Sequence, residues 1–256
     1  MALTRIKSSN IADETVVAED IADGSVTDAK IQTGISSSKL TGNLPAISGA
    51  SLTNLTAANR KIIVAVATAQ PITGCTVAGV TAIQIVASTG GDDMDTTIYV
   101  ASVPTGTSGT IIITMSGSAG ELHTRGGIGV YAAYGISSTA SDTFTTTSTT
   151  DPMSQTIDIP AGGVAVAITH MNKGPGIPAL TWTGFTEDYE LTTANSSQTA
   201  GGGSKTSSSA VTVTVGVDSD IGINNNGFVG ASFASDGSNA GSGKITRIHG
   251  TSLAWS

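Results

Sequence analysis

Residues 62–67 read Ile62-Ile63-Val64-Ala65-Val66-Ala67, a nearly continuous apolar run that directly follows the charged pair Arg60-Lys61. Such a run is typical of a β-strand covered on both faces, because β-branched residues favour strands and no polar position interrupts it. The preceding residues mix charged, small and turn-forming types. We therefore expect an all-β domain over residues 61–256 and a separate segment over residues 1–60.

Short β-rich runs recur after residue 67, and turn signals such as Pro160-Ala161-Gly162-Gly163 separate several of them. None of these runs has the sustained i, i+3, i+4, i+7 apolar spacing of an amphipathic helix. We therefore predict a jelly-roll-like β-sandwich, although the length also allows two small domains. The predicted strands are 76–87, 96–103, 110–116, 127–136, 154–159, 164–171, 179–185, 188–193, 210–217, 228–234 and 244–255.

Two polar stretches, residues 137–151 and 194–209, lack this strand pattern and are rich in Ser, Thr, Gly and Asn. We interpret both as long surface loops or irregular edge strands. Loops at the end of a sandwich commonly carry binding residues, so these two stretches are candidates for contact with another surface, for example with glycan.

Composition limits the classes of partner. Only 12% of the residues are charged, against about 25% in ordinary soluble domains. Residues 1–61 hold six basic and six acidic side chains, whereas residues 62–256 hold five basic and thirteen acidic ones. The second part has no basic stripe, which argues against binding to nucleic acid or anionic lipid.

Cysteine usage and hydropathy say where the chain is expected to work. Cys75 is the only cysteine, which excludes an intramolecular disulfide. No apolar run approaches the ~18 residues of a membrane span, and the sequence after Met1 lacks a signal-peptide pattern. We expect a protein that is made in the cytosol and does not insert into a membrane.

The N-terminal segment contains a ten-residue repeat, IADETV at residues 11–16 and IADGSV at residues 21–26, with a looser copy from Ile31. Its apolar residues are about five positions apart, which fits neither a helix nor a long strand. So short a unit cannot bury its own apolar side chains and must borrow a surface. The candidate self-association or docking contacts are Ile11, Val16, Ile21, Val26, Ile31 and Ile35.

These residues resemble a known class of protein. IADGSVTDAKI at residues 21–31 and LTGNLPAISGASLTNL at residues 40–55 resemble the shafts and connectors of tailed-bacteriophage fibre and appendage proteins. The phrases IYVASVPTGTSG at 98–109, IPAGGV at 159–164 and TWTGFTEDY at 181–189 are similar to terminal β-sandwich domains of such proteins. The resemblance implies a homotrimer with one end docked on the virion, and it transfers no catalytic residue.

Several residue groups offer chemistry, and each also has a structural interpretation. Asp92-Asp93-Met94-Asp95 offers oxygen ligands for Ca²⁺ but lacks EF-hand spacing, so a solvated acidic turn is favoured. Glu187, Asp188 and Glu190 could include a glycosidase pair, but surface charge beside a strand is favoured.

The remaining groups are weaker still. Gly201-Gly202-Gly203-Ser204-Lys205-Thr206 departs from a phosphate-binding loop, and Ser108 lacks the context of a nucleophile elbow. The three histidines lack metal-ligand spacing, and His170 is predicted to be a core or interface residue. Trp182 and Trp255 are predicted to fill the core rather than to stack on sugars.

The sequence therefore predicts a non-enzymatic virion protein with no catalytic, cofactor or metal site. In the preferred interpretation it is a trimeric fibre, docked on another virion protein through residues 1–60 and presenting its sandwich to the host. A capsid decoration (head fibre) is the alternative, and a polysaccharide-cleaving spike is less favoured.

Overall fold

The computed structural model describes residues 60–90, 94–116, 126–172, 176–192, 198–237 and 244–253, which all belong to one unit spanning Thr56–Ser256. The described residues form sixteen strands and no helix, and every strand pairing among them is antiparallel. This confirms the predicted all-β class, which is consistent with a β-sandwich. None of the described residues belongs to a helix that could cross a membrane. The six candidate contacts from Ile11 to Ile35 lie outside the described residues.

Four sheets contain the strands. Sheet I has the order β3-β2-β6, sheet II β16-β7-β1-β5-β4, sheet III β12-β13-β10-β15-β8, and sheet IV β11-β14-β9. The bounds are β1 (Arg60–Thr68), β2 (Ile72–Val77), β3 (Val80–Thr81), β4 (Ile83–Gly90), β5 (Met94–Ser102), β6 (Ile111–Met115), β7 (Gly126–Tyr134), β8 (Asp142–Ser148), β9 (Met153–Ile159), β10 (Val164–Asn172), β11 (Leu180–Thr183), β12 (Thr186–Thr192), β13 (Gln198–Thr206), β14 (Val211–Ser219), β15 (Asn225–Phe233) and β16 (Lys244–Leu253).

The sheets stack in the order I, II, III, IV, with an apolar core between each neighbouring pair. One core joins sheets II and III through residues such as Ile63 and Val166. A second joins sheets III and IV, and a third joins sheets I and II. Sheets II and III are therefore covered on both faces, which explains why their central strands read as continuous apolar runs.

The central strands β1 and β10 share the tetrapeptide Val-Ala-Val-Ala but use it in opposite ways. In β1, Ala65 faces sheet III and Val64 faces sheet I. In β10, Val164 faces sheet II and Ala165 faces sheet IV. Small side chains of β1 thus meet large ones of β10 in the same core, which lets two flat surfaces interdigitate.

The two halves of this stack repeat one another. Sheet II has the strand order β16-β7-β1-β5-β4, and sheet III, read from its β8 edge, has the order β8-β15-β10-β13-β12. Each strand of sheet II therefore has a counterpart at the same position in sheet III. In each half, six strands alternate between the inner and the outer sheet in the same order along the chain. In the first half they are β1, β2, β4, β5, β6 and β7, and their counterparts in the second half are β10, β11, β12, β13, β14 and β15.

The halves also exchange a strand. Strand β8 follows β7 along the chain but pairs with β15 in sheet III, and β16 follows β15 but pairs with β7 in sheet II. Each half thereby completes the inner sheet of the other half. Side chains reinforce the junction of strands β4 and β8, where Ser88 Oγ donates to the Thr146 carbonyl and Thr145 Oγ1 donates to the Ala87 carbonyl.

Two sequence predictions differ from this fold, and a third agrees with one of its two alternatives. Residues 194–209 are not a loop, because they contain β13, an interior strand of sheet III. Residues 137–151 contain β8, an edge strand of the same sheet, as one of the two interpretations allowed. Residues 76–87 are not one strand, since Ala78 and Gly79 adopt positive φ angles of 50° and 80° and turn the chain from β2 into β3.

Candidate functional site

The strand directions place all connections at two ends of the stack. One end, which we call the Arg60 end, holds the start of β1. The other, which we call the His170 end, holds the carboxyl ends of β1 and β10, where His170 lies close to the backbone of Thr68. Gly227 of β15 approaches the Met94 carbonyl of β5 at the same end, as its ideal Cβ position lies 2.3 Å from that oxygen.

A group of buried polar side chains closes the core at the His170 end. His170 is fully buried between sheets II and III, and neither ring nitrogen has a hydrogen-bond partner among the described residues. Gln198 on the paired strand β13 and Thr96 on β5 of sheet II are buried nearby. The prediction that His170 is a core or interface residue is confirmed.

Burial sets the titration of His170. Removal from water lowers its pKa to about 4, because the charged imidazolium loses its hydration. The Thr68 backbone and the Gln198 side chain partly oppose this shift. His170 is therefore neutral at pH 7, and no group of three or more His, Cys, Asp or Glu that could hold a metal ion occurs among the described residues.

A second polar group lies where strands β7, β12, β13 and β16 approach one another. Tyr131 and Tyr189 are buried between sheets II and III, and the carboxyl group of Asp188 lies beside them at a bulge in β12. Burial raises the pKa of Asp188, while the Ser204 hydroxyl, Tyr131 and the charge of Arg247 partly oppose the rise. Burial and the neighbouring carboxylate also raise the pKa of both tyrosines.

Glycines make room for Tyr189. A Cβ at Gly129 of β7 would lie 2.3 Å from the ring, and one at Gly202 of β13 would lie 2.4 Å from it. On the opposite face, a Cβ at Gly201 would meet Leu180 at 2.4 Å. The triple glycine predicted to be a loop is therefore a strand that large side chains approach from both sides.

The acidic residues singled out in the sequence have different environments. Asp95 is buried in β5 rather than in a solvated turn, so that interpretation is wrong for Asp95; Asp92 and Asp93 lie outside the described residues. Glu187 and Glu190 are exposed on β12, as expected of surface charge, and Glu190 accepts a hydrogen bond from the Leu180 amide. Asp188 instead points towards the core.

The other candidates have structural surroundings. Ser108 is exposed in the loop after β5, and Lys205 is the penultimate residue of β13, with its Nζ donating to the Gly184 carbonyl. Trp182 packs edge-on against Phe228 at 6.0 Å in the core between sheets III and IV, which confirms its predicted role. His123 and Trp255 lie outside the described residues, as does the side chain of His249.

Arg60 organises the opposite end. Its guanidinium donates to the carbonyls of Val103, Thr105 and Gly106 at 2.6–2.8 Å and fixes the loop after β5 onto the start of β1. Beside it lies a mainly apolar cavity of about 100 Å³ between sheets I and II, lined by Ile62 and Ile111 among others. The sequence pattern did not single out this arginine.

Exposed apolar side chains at the His170 end also escaped the sequence reasoning. Ile177 and Ile221 are 44% and 38% exposed and lie in the loops on either side of sheet IV's end. A reciprocal pair of hydrogen bonds joins these loops, because Ala179 N donates to Asp220 Oδ1 and Asp220 N donates to the Ala179 carbonyl. The two isoleucines therefore belong to one braced surface.

Comparison with known proteins gives no relative: no protein-family model, curated protein or solved structure matches this chain.

Proposed function

We propose that the protein is a structural virion protein of a tailed phage, a homotrimeric fibre or appendage docked through residues 1–60 on another virion protein. Its stacked sheets contact the host surface, and the chain is not an enzyme. The proposal rests on the N-terminal repeat and on one structural observation, which is that the two ends of the stack differ. Arg60 lies at one end, and an exposed, braced loop surface lies at the other.

We place the proposed host-facing surface at the His170 end instead of at residues 194–209, and residues 137–151 stay a candidate for host contact. Residues 194–209 are unsuitable, because they contain the buried strand β13. Ile177 and Ile221, with the polar loops around them, replace that stretch in the proposal. A contact made by so few side chains of one chain is weak, so useful affinity for a surface glycan or protein requires several copies of the chain acting together.

The finer fold prediction also belongs to this proposal. Each half, sheets I with II and sheets III with IV, is a small sandwich of jelly-roll type. What supports this description is that the chain crosses repeatedly between the two sheets of a half, from β1 to β2 and from β5 to β6 and back to β7.

Assembly is tested on the full-length protein by light scattering. The wild type should contain a multiple of three chains, and replacing Ile21 and Ile31 with Asp should remove the threefold association, because charged residues cannot share an apolar seam. The circular dichroism of the sheets should stay unchanged. A wild type without any threefold association would contradict the trimer.

Location and host contact are tested on particles. Antibody labelling or a particle reconstruction should place the protein on the tail; a position on the capsid would favour the head-fibre alternative. The double variant Ile177→Ser/Ile221→Ser should reduce adsorption to host cells at least tenfold. The control Ile83→Ser alters an isoleucine of β4 that is 60% exposed, and it should leave adsorption unchanged. Release of sugar from host capsule or lipopolysaccharide by the purified protein would favour the polysaccharide-cleaving spike.

A further inference from the structure

The two halves repeat one another, but their outer sheets, sheet I and sheet IV, differ in one place. In sheet IV, β14 lies between β11 and β9. Its counterpart in sheet I is β6, which pairs with β2 on one side and with no described strand on the other. The place that β9 fills in one half is therefore open in the other half, as far as the described residues extend.

The burial of the inward side chains reflects this difference. Val213, Val215 and Val217 of β14 are at most 8% exposed, and the apolar residues Ile157 and Met153 of β9 lie opposite two of them. On β6, by contrast, the inward Ile111, Ile113 and Met115 are only partly buried. Among the described residues, the core between sheets I and II thus lacks an aliphatic strand like the one that closes the core between sheets III and IV.

The backbone of β6 is suited to receive such a strand. Ala78 N donates to the Thr110 carbonyl, so residues 110 and 112 bond towards β2 in the antiparallel ladder. The alternate residues Ile111 and Ile113 consequently direct their N–H and C=O groups to the open edge. Residues 110–116 contain no charge and no proline, the usual features that protect an edge from pairing.

We infer that this edge binds β6 of a second copy of the chain, antiparallel and about a twofold axis. Such a pair sets Ile113 opposite Ile113 of the partner subunit and extends sheet I across two molecules. The partner supplies aliphatic side chains of the type that β9 supplies in the other half. Because β6 is uncharged, the symmetric pair brings no like charges together.

The contact is independent of the proposed trimer and doubles whatever assembly the N-terminal segment forms. Five residues bury less than the ~1,000 Å² of a typical stand-alone interface, so the doubling depends on concentration. Sedimentation equilibrium of the full-length protein from about 10 μM to about 1 mM should show a twofold rise in mass.

Two variants and a matched control test the edge. Ile113→Pro removes an edge-facing N–H and leaves the bonds to β2 intact, so it should abolish the doubling. Ile112→Lys changes an outward side chain that is 57% exposed and should weaken the doubling about tenfold. Val211→Lys introduces the same charge at an exposed position of β14, where β9 already pairs with the strand, and should have no effect.

The outcomes separate cleanly. If Ile113→Pro disturbs the fold, as judged by circular dichroism, the effect of Ile112→Lys on the doubling is the deciding measurement. No rise in mass, or an equal rise in wild type and Ile112→Lys, would overturn the inference. Strong hydrogen-exchange protection of the Ile111 and Ile113 amides in the smallest species would also overturn it, because the edge would then be covered within one chain. Ile21→Asp/Ile31→Asp should leave the doubling intact, so failure of the trimer does not count against the edge.

Discussion

At the scale of single residues, His170 is the clearest case of a side chain that controls stability through its burial. It has no hydrogen-bond partner among the described residues and stays neutral at pH 7 because it is out of contact with water. A fully buried neutral histidine is tolerated only while the pH is high enough to keep it unprotonated.

The protein should therefore lose stability as the pH falls from about 6.5 to about 4, the ordinary and native pKa values of His170. In this range the unfolded chain binds the proton and the native state does not, so acid favours unfolding. The loss attributable to His170 is up to about 3 kcal/mol. Urea unfolding of wild type and His170→Gln at pH 7 and pH 4.5 measures it, and equal pH dependence in both proteins would contradict the assignment.

Tyr189 shows how one side chain constrains residues on two different sheets. Gly129→Ala and Gly202→Ala each force the same ring to move, and each should lower the free energy of unfolding by about 2 kcal/mol. Once the ring has moved, the second substitution should cost less, so the double variant should fall short of the sum by about 1 kcal/mol.

Gly201→Ala is the control for that cycle, since its new Cβ meets Leu180 on the other face of sheet III. Combined with Gly129→Ala, its effect on the free energy of unfolding should add. Additive losses for both pairs would show that Tyr189 does not couple the two glycines.

At the scale of elements, the sequence predicts strands well where the strand carries its own apolar side chains. The run from Ile62 and the run from Val164 became β1 and β10, the centres of sheets II and III. Strand β13 was not predicted as an interior strand, because its sequence QTAGGGSKT has almost no apolar side chains of its own. Its burial comes from Tyr189, Leu180 and Trp182, which other strands supply, so no local pattern could reveal it.

The candidate sites were predictable to a smaller extent, for the same reason. The positions of His170 and Trp182 in strands predicted their burial. The Asp188 group could not be predicted, because a bulge turns this carboxylate inward and brings it beside Tyr131 of a distant strand. The shared Val-Ala-Val-Ala also conceals the repeat of the halves, since its alanines face the inner core in β1 and an outer core in β10.

At the scale of the whole molecule, the exchange of β8 and β16 decides how the described part unfolds. Neither half has a complete inner sheet without a strand from the other half, and the largest core lies between the halves. A half that opened alone would leave the other with an unpaired edge and an exposed apolar face. The two halves should therefore be one cooperative unit, although they look like two small sandwiches.

Calorimetry of the full-length protein should accordingly show one transition for the sheets, with equal calorimetric and van't Hoff enthalpies per cooperative unit. Val77→Ala in sheet I and Val215→Ala in sheet IV probe opposite ends of the stack, and both valines are buried. Each should cost about 2 kcal/mol and lower the Tm of that same transition by several degrees. Two transitions, each moved by only one of the variants, would mean that the halves unfold separately and that the exchanged strands do not couple them.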